Sequence, residues 1–145
     1  MGRDKLFPAE YTDEIDSNCD RLLEAFNKVR TAYGKSMTVA SGFRPPSVNA
    51  GTANAAPNSA HCISLAIDIR DTSGELWKWT VANLQLMKDL GFFLEDRRYT
   101  PSWVHYQLIK PTSGKRIFIP SKGLPPAPTI FDGRYDSKYD EKAKK

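Results

Sequence analysis

The stretch Ser59-Ala60-His61-Cys62-Ile63-Ser64-Leu65-Ala66-Ile67-Asp68-Ile69-Arg70 passes from small polar residues into an alternating strand pattern. Successive side chains of a strand point to opposite faces. Leu65, Ile67 and Ile69 therefore share one face, and Ala66, Asp68 and Arg70 share the other. The first set suits a core. A carboxylate inside such a run is costly unless it has a partner, so Asp68 marks its face as chemically occupied. Candidate partners stand in Trp103-Val104-His105-Tyr106-Gln107, where alternation puts Trp103, His105 and Gln107 on one side. His61, seven residues before Asp68, ends a long loop.

His61 and His105 are the two histidines of a 145-residue chain that also holds two cysteines. A His-rich metal site, an all-cysteine zinc site and a disulfide scaffold are thereby excluded. A catalytic metal would need both histidines and a carboxylate, and two imidazoles plus one carboxylate with a fourth position open is a catalytic zinc set. The residue chemistry alone equally allows two hydrogen-bonded histidines beside a salt-bridged Asp68. Cys62 adjoins His61, but neighbours in an extended segment point in opposite directions, so a buried packing role is expected.

Around this centre the pattern is α+β. Ile15, Cys19, Leu22, Phe26, Val29 and Tyr33 recur at the helical period, predicting a helix over 13–33 with Thr12 as N-cap and Gly34 just past its end. Strands are expected at 37–41, 65–70, 92–95, 103–109 and 116–120. A second helix is expected over 73–90, capped by Ser73 and ended by Gly91. The segment 42–59, rich in Pro, Asn, Ala, Gly and Ser, reads as a functional loop. Thr112-Ser113-Gly114-Lys115 reads as the turn between the last two strands. These elements predict a small, mostly antiparallel sheet flanked by helices. The domain spans 1–120, and 121–145 form a Pro-rich and charged tail.

Charge and hydropathy restrict the function classes. Half of the +4 net charge falls in the last 25 residues, and no basic stripe suits nucleic acid, so no nucleic-acid partner is expected. No run of 18 apolar residues predicts a membrane span. Met1–Glu10 lacks the basic and apolar regions of a secretory signal, so synthesis in the cytoplasm without one is expected. The expected state is a monomer.

Three blocks together resemble one zinc peptidase family, over about residues 10–110. Ser59 to Asp68 is similar to its Ser-x-His-x-x-Gly-x-Ala-x-Asp signature, Ser41-Gly42-Phe43-Arg44 to its Ser-Gly-Tyr-Arg block, and Trp103-Val104-His105 to its Trp-x-His block. The family includes D-alanyl-D-alanine carboxypeptidases, D-alanyl-D-alanine dipeptidases and phage L-alanyl-D-glutamate endolysins. The resemblance implies a hedgehog/DD-peptidase-like fold with zinc (Zn2+) on the sheet face, held by His61, Asp68 and His105. It implies a metallopeptidase that cleaves D-amino-acid-containing peptides of bacterial peptidoglycan by attack of metal-bound water, acting at the cell wall, and it allows a phage origin. Arg44 would orient the peptide or stabilise the oxyanion, since a guanidinium stays charged and binds carboxylates in a bidentate way. Ser59 and Trp103 would line the substrate cleft.

This chain departs from the family at two places. Ser64 stands where the family has Gly, a cost if the position needs a positive φ. Ser102 stands where many relatives carry the catalytic carboxylate three residues before the second histidine. Other members place that Glu on the preceding strand, which Glu95 fits, with Asp96 the alternative. A non-catalytic wall-binding or virion-associated module on the same fold is the competing function.

Overall fold

The structure, a computed structural model, describes residues 9–51 and 59–119. The expected tail at 121–145 lies outside the described residues. Helix α1, Asp13–Tyr33, is bounded as its sequence requires. The Thr12 hydroxyl accepts the Ile15 N–H at 3.3 Å, and Gly34, at φ 73°, sends its N–H to the Arg30 carbonyl at 3.1 Å. Ile15, Leu22, Phe26 and Val29 form its buried stripe. Cys19 is only half-buried, whereas Asn18 is buried and donates to the Ile63 carbonyl at 3.0 Å. That polar contact on an otherwise apolar stripe ties α1 to the turn that carries His61.

The sheet comprises β1 (Val39–Ser41), β2 (Ala66–Arg70), β3 (Phe93–Glu95), β4 (Trp103–Gln107) and β5 (Ile117–Phe118), in the order β1-β2-β4-β3-β5. All pairings are antiparallel except β3 with β5. The fold is therefore α+β with a mostly antiparallel sheet, as the pattern predicts. The last strand differs from expectation. The turn at 112–115 does reverse the chain, but β4 already has β2 and β3 on its two edges. The chain must pass on to the free edge of β3, where it runs parallel.

One sheet face, bearing Ile67, Ile69, Leu94, Val104 and Tyr106, packs on α1 and on two further helices, α3 (Glu75–Ala82) and α4 (Leu84–Leu90). Tyr106 centres the core, edge-on to Phe26 and Phe92, with its hydroxyl 2.7 Å from that of Thr80. The expected single helix over 73–90 is broken at Asn83, whose ψ of 34° leaves the helical region and whose amide donates to the Trp79 carbonyl at 2.8 Å. The expected loop over 42–59 contains a short helix, α2 (Pro46–Ala50), started by Pro46, whose ring pre-sets a helical φ. Glu10 fastens it, accepting from the Ser47 N–H and hydroxyl at 3.1 and 2.8 Å.

The start of α3 is held by Asp71 as well as by Ser73, whose hydroxyl accepts the Glu75 N–H at 3.3 Å. The buried Asp71 carboxylate accepts from Leu76 N–H at 3.1 Å, Trp77 N–H at 3.0 Å and Arg97 Nη1 at 2.9 Å. Arg97 Nη2 also reaches the Asp71 carbonyl at 2.8 Å. One carboxylate thus joins the end of β2, the first turn of α3 and the connection after β3. Removing one side of such a buried pair leaves the other charge uncompensated. Asp71→Ala is expected to lower unfolding stability by about 3 kcal/mol, read from the urea midpoint; a loss below about 0.5 kcal/mol, the range of ordinary surface changes, contradicts this role.

Candidate metal centre

The register of the two central strands assembles the site. Asp68 lies directly opposite His105, with Ile67 opposite Tyr106 and Ile69 opposite Val104. The apolar pairs face the core, so the Asp68–His105 pair faces the other way. At the edge, β1 carries a bulge: Val39 is opposite Ile69, but Ser41 is opposite Asp68. The extra residue turns the chain so that Ser41 joins the Asp68 face, and Gly42 to Arg44 follow over it.

His61 comes from a single 3₁₀ turn, Ala60–Ile63. The Ser59 hydroxyl caps it, accepting the His61 N–H at 3.2 Å. Its far end is a Schellman closure, with Leu65 N–H on the Ala60 carbonyl at 3.0 Å and Ser64 N–H on the His61 carbonyl at 3.3 Å. Such a closure needs a left-handed residue at its fifth position, and Ser64 stands there at φ 61°, ψ 32°. The Arg44 N–H holds the His61 carbonyl at 2.9 Å, and the Gly42 carbonyl lies 2.8 Å from His61 Nδ1. Two of the three sequence blocks are thus bound to each other through backbone groups at His61.

The three side chains converge. Asp68 Oδ2 lies 3.1 Å from His61 Nε2, and Asp68 Oδ1 lies 2.8 Å from His105 Nδ1. One ligand atom from each residue lies within 4.8 Å of the others, and all three residues are buried. His105 Nε2 contacts Gln107 Oε1 at 2.8 Å. The donor set suits a metal ion for a specific reason. The Gly42 carbonyl can only accept, so His61 Nδ1 carries the proton and the neutral ring turns a lone pair toward the Asp68 carboxylate. Two lone pairs at 3.1 Å call for a proton or a cation between them.

The electrostatics divide the two imidazoles. Burial holds the His61 pKa below its usual value despite Asp68, which favours the neutral ring that ligates metals. Burial pushes His105 down too, but the hydrogen bond and charge of Asp68, with the charge of Glu95, outweigh it and raise the pKa. Burial pushes Asp68 upward, but the two imidazoles prevail and keep it ionised well below the usual carboxylate range.

The other predicted residues fall into distinct places. Glu95 ends β3. Pairing of Phe93 with Gln107 and Leu94 with Tyr106 carries Glu95 alongside His105. It is half-buried, and its pKa is raised above 4.5, first by burial and then by Asp68 and Asp96, against His105 and Arg44. Asp96 is buried and engaged elsewhere: Oδ1 accepts from Arg98 N–H at 2.9 Å and Nε at 3.0 Å, and Oδ2 from Nη2 at 2.8 Å. It caps the short turn Arg97–Tyr99. Arg44 Nη2 donates to the Ser59 hydroxyl at 3.2 Å, which brings those two predicted residues together. Trp103, half-buried, pairs across the strands with Arg70, two positions from His105 on the same face. Cys62 is buried, and burial raises its thiol pKa, in keeping with packing. Sequence patterns did not identify Asn18, the Gly42 carbonyl or Gln107 as parts of the site's support.

A family model described as Peptidase M15 matches residues 8–106, and the chain belongs to that family. The match spans the three blocks and every element through β4 but its last residue, Gln107. No curated protein and no solved structure matches the chain.

Two outcomes follow from this geometry. Ser64→Gly removes a side chain from a left-handed position and is expected to raise stability by about 0.5–1 kcal/mol, seen as a higher unfolding midpoint; a lower midpoint would show that the hydroxyl contributes more than the strain costs. Zinc titrated into the metal-free protein is expected to bind at about one equivalent per chain. Protons compete for the imidazoles. The raised pKa of His105 means that this ring is already protonated above an ordinary imidazole's 6.5. Affinity measured calorimetrically should therefore weaken as pH falls, starting above 6.5; affinity independent of pH between 5 and 8 contradicts this ligand set.

Proposed function

We propose that this M15 peptidase is a zinc enzyme that hydrolyses D-amino-acid-containing peptide bonds of bacterial peptidoglycan, with His61, Asp68 and His105 as the metal ligands. The observation that carries the proposal is the convergence of two histidines and Asp68 in a chain that the Peptidase M15 model matches over 8–106. Among the described residues no helix is long and apolar enough to cross a membrane, and a peptidase of this family takes a peptide substrate.

Zinc, when bound, lowers the pKa of a coordinated water and polarises the scissile carbonyl. The chain's own groups do the rest. Glu95, beside His105, takes the proton from the attacking water and returns it to the leaving amine. Its raised pKa supports this exchange, because a proton shuttle works best when its pKa approaches the working pH. Arg44, held by Ser59, orients the peptide and balances negative charge developing on the carbonyl oxygen. Trp103 walls the cleft beyond the Asp68–His105 pair. Asp96 is a poor alternative to Glu95, since both its oxygens are committed to Arg98.

Digestion of purified peptidoglycan, with new termini identified by mass spectrometry, tests activity and bond identity together. Cleavage at D-alanyl-D-alanine or at L-alanyl-D-glutamate links is the expected result. Binding without cleavage at full zinc loading would make the chain a wall-binding module instead. Glu95→Gln is expected to lower turnover by about 10²–10⁴-fold while retaining zinc; full turnover in that variant removes Glu95 from the chemistry. Because Glu95 must be ionised to accept a proton, the acidic limb of the wild-type kcat/KM profile should disappear from the variant's residual rate.

A further inference from the structure

We infer that Gln107 is a positioning residue that commits His105 to binding the metal through Nδ1. The inference rests on the zinc reading above and concerns a side chain outside the ligand set. Its basis is a chain of hydrogen bonds whose directions leave no choice. The Ile109 carbonyl can only accept, so the group 2.7 Å from it must be the amide nitrogen of Gln107. The amide oxygen therefore faces the imidazole, 2.8 Å from His105 Nε2. That oxygen can only accept, so Nε2 carries a proton. A neutral ring then has its lone pair on Nδ1, the nitrogen 2.8 Å from Asp68 Oδ1.

The anchor of this relay is rigid. Leu108 N–H donates to the Leu65 carbonyl at 2.9 Å just beyond β4, and Gln107 stands opposite Ala66 at the end of the β2 register. Both elements that position Ile109 are thus the strands that carry Asp68 and His105. Without the amide oxygen, the Asp68 carboxylate would draw the single proton of the neutral ring to Nδ1, and the bare nitrogen would face away from the centre. Gln107 opposes this. His61 is set in the opposite sense, with its Nδ1 proton on the Gly42 carbonyl and Nε2 toward Asp68. The two histidines therefore offer different nitrogens, each selected by an acceptor on its far side.

Three proteins separate this role from a structural one. Gln107→Leu keeps the volume and removes the acceptor, and is expected to lower zinc affinity by about 10–100-fold, measured by chelator competition. Gln107→Glu keeps an acceptor at the same reach but loses the donor to the Ile109 carbonyl, and is expected to retain more affinity than Gln107→Leu. In nitrogen-15 spectra of the zinc-loaded wild type, His105 should show zinc on Nδ1 and an exchange-protected proton on Nε2, with that protection lost in Gln107→Leu. Unfolding midpoints show whether the variants fold. If Leu and Glu variants lose affinity equally, or if zinc sits on Nε2 of His105, the assignment is overturned. A wild type that binds no zinc overturns the zinc reading itself, whereas wild-type binding with an unaffected Gln107→Leu overturns the role of Gln107 alone.

Discussion

The antiparallel pairing of β2 with β4 is the constraint on which the rest of the molecule depends. Its register sets Asp68 against His105 on one face and puts Ile67, Ile69, Val104 and Tyr106 into the core on the other. A slip of one residue would exchange the faces. Burial of each large aliphatic side chain contributes about 1.5–3 kcal/mol, whereas a single hydrogen bond nets about 0.5–1.5 kcal/mol. The core, not the polar pair, therefore holds the register, and the chemistry inherits its geometry from hydrophobic packing on the opposite side of the sheet.

Around that pair each supporting link has a backbone group at one end. His61 is held by the Gly42 carbonyl and the Arg44 N–H, its turn by the Asn18 amide, and the far side of His105 by a Gln107 that leans on the Ile109 carbonyl. Carbonyls have one role as acceptors, and that single role fixes the proton positions on the rings. The result is a buried cluster with one carboxylate between two imidazoles, where burial prevails at His61 and the Asp68 interaction prevails at His105.

What the sequence made legible follows from range. Asp68 stood out because a carboxylate interrupts an apolar alternation, and α1 because its period, its cap and its closing Gly34 all agree. His105 was legible because strand alternation gives it a face. Other features depended on contacts that no local pattern records. The break at Asn83 arises from a side-chain amide reaching the Trp79 carbonyl, so an unbroken apolar period concealed it. The parallel placement of β5 follows from which strand edge is vacant, a property of the assembled sheet. Alternation puts Gln107 on the His105 face, but its importance lies in the direction of one hydrogen bond, which no pattern records. Ser64 was legible as a departure from the family's Gly, and its positive φ gives that departure a physical meaning.

The spacing of the three clustered residues along the chain has a consequence for how the protein comes into being. His61 and Asp68 are local, joined by one tight turn, but His105 is separated from Asp68 by 37 positions that include α3, α4 and β3. During synthesis the cluster is incomplete until β4 has emerged and docked between β2 and β3. Closing that long segment costs chain entropy before any ligand bond can form, so the core must supply the driving force first. In small zinc modules the metal organises the chain; here the chain organises the cluster, and a captured ion would report that folding has finished.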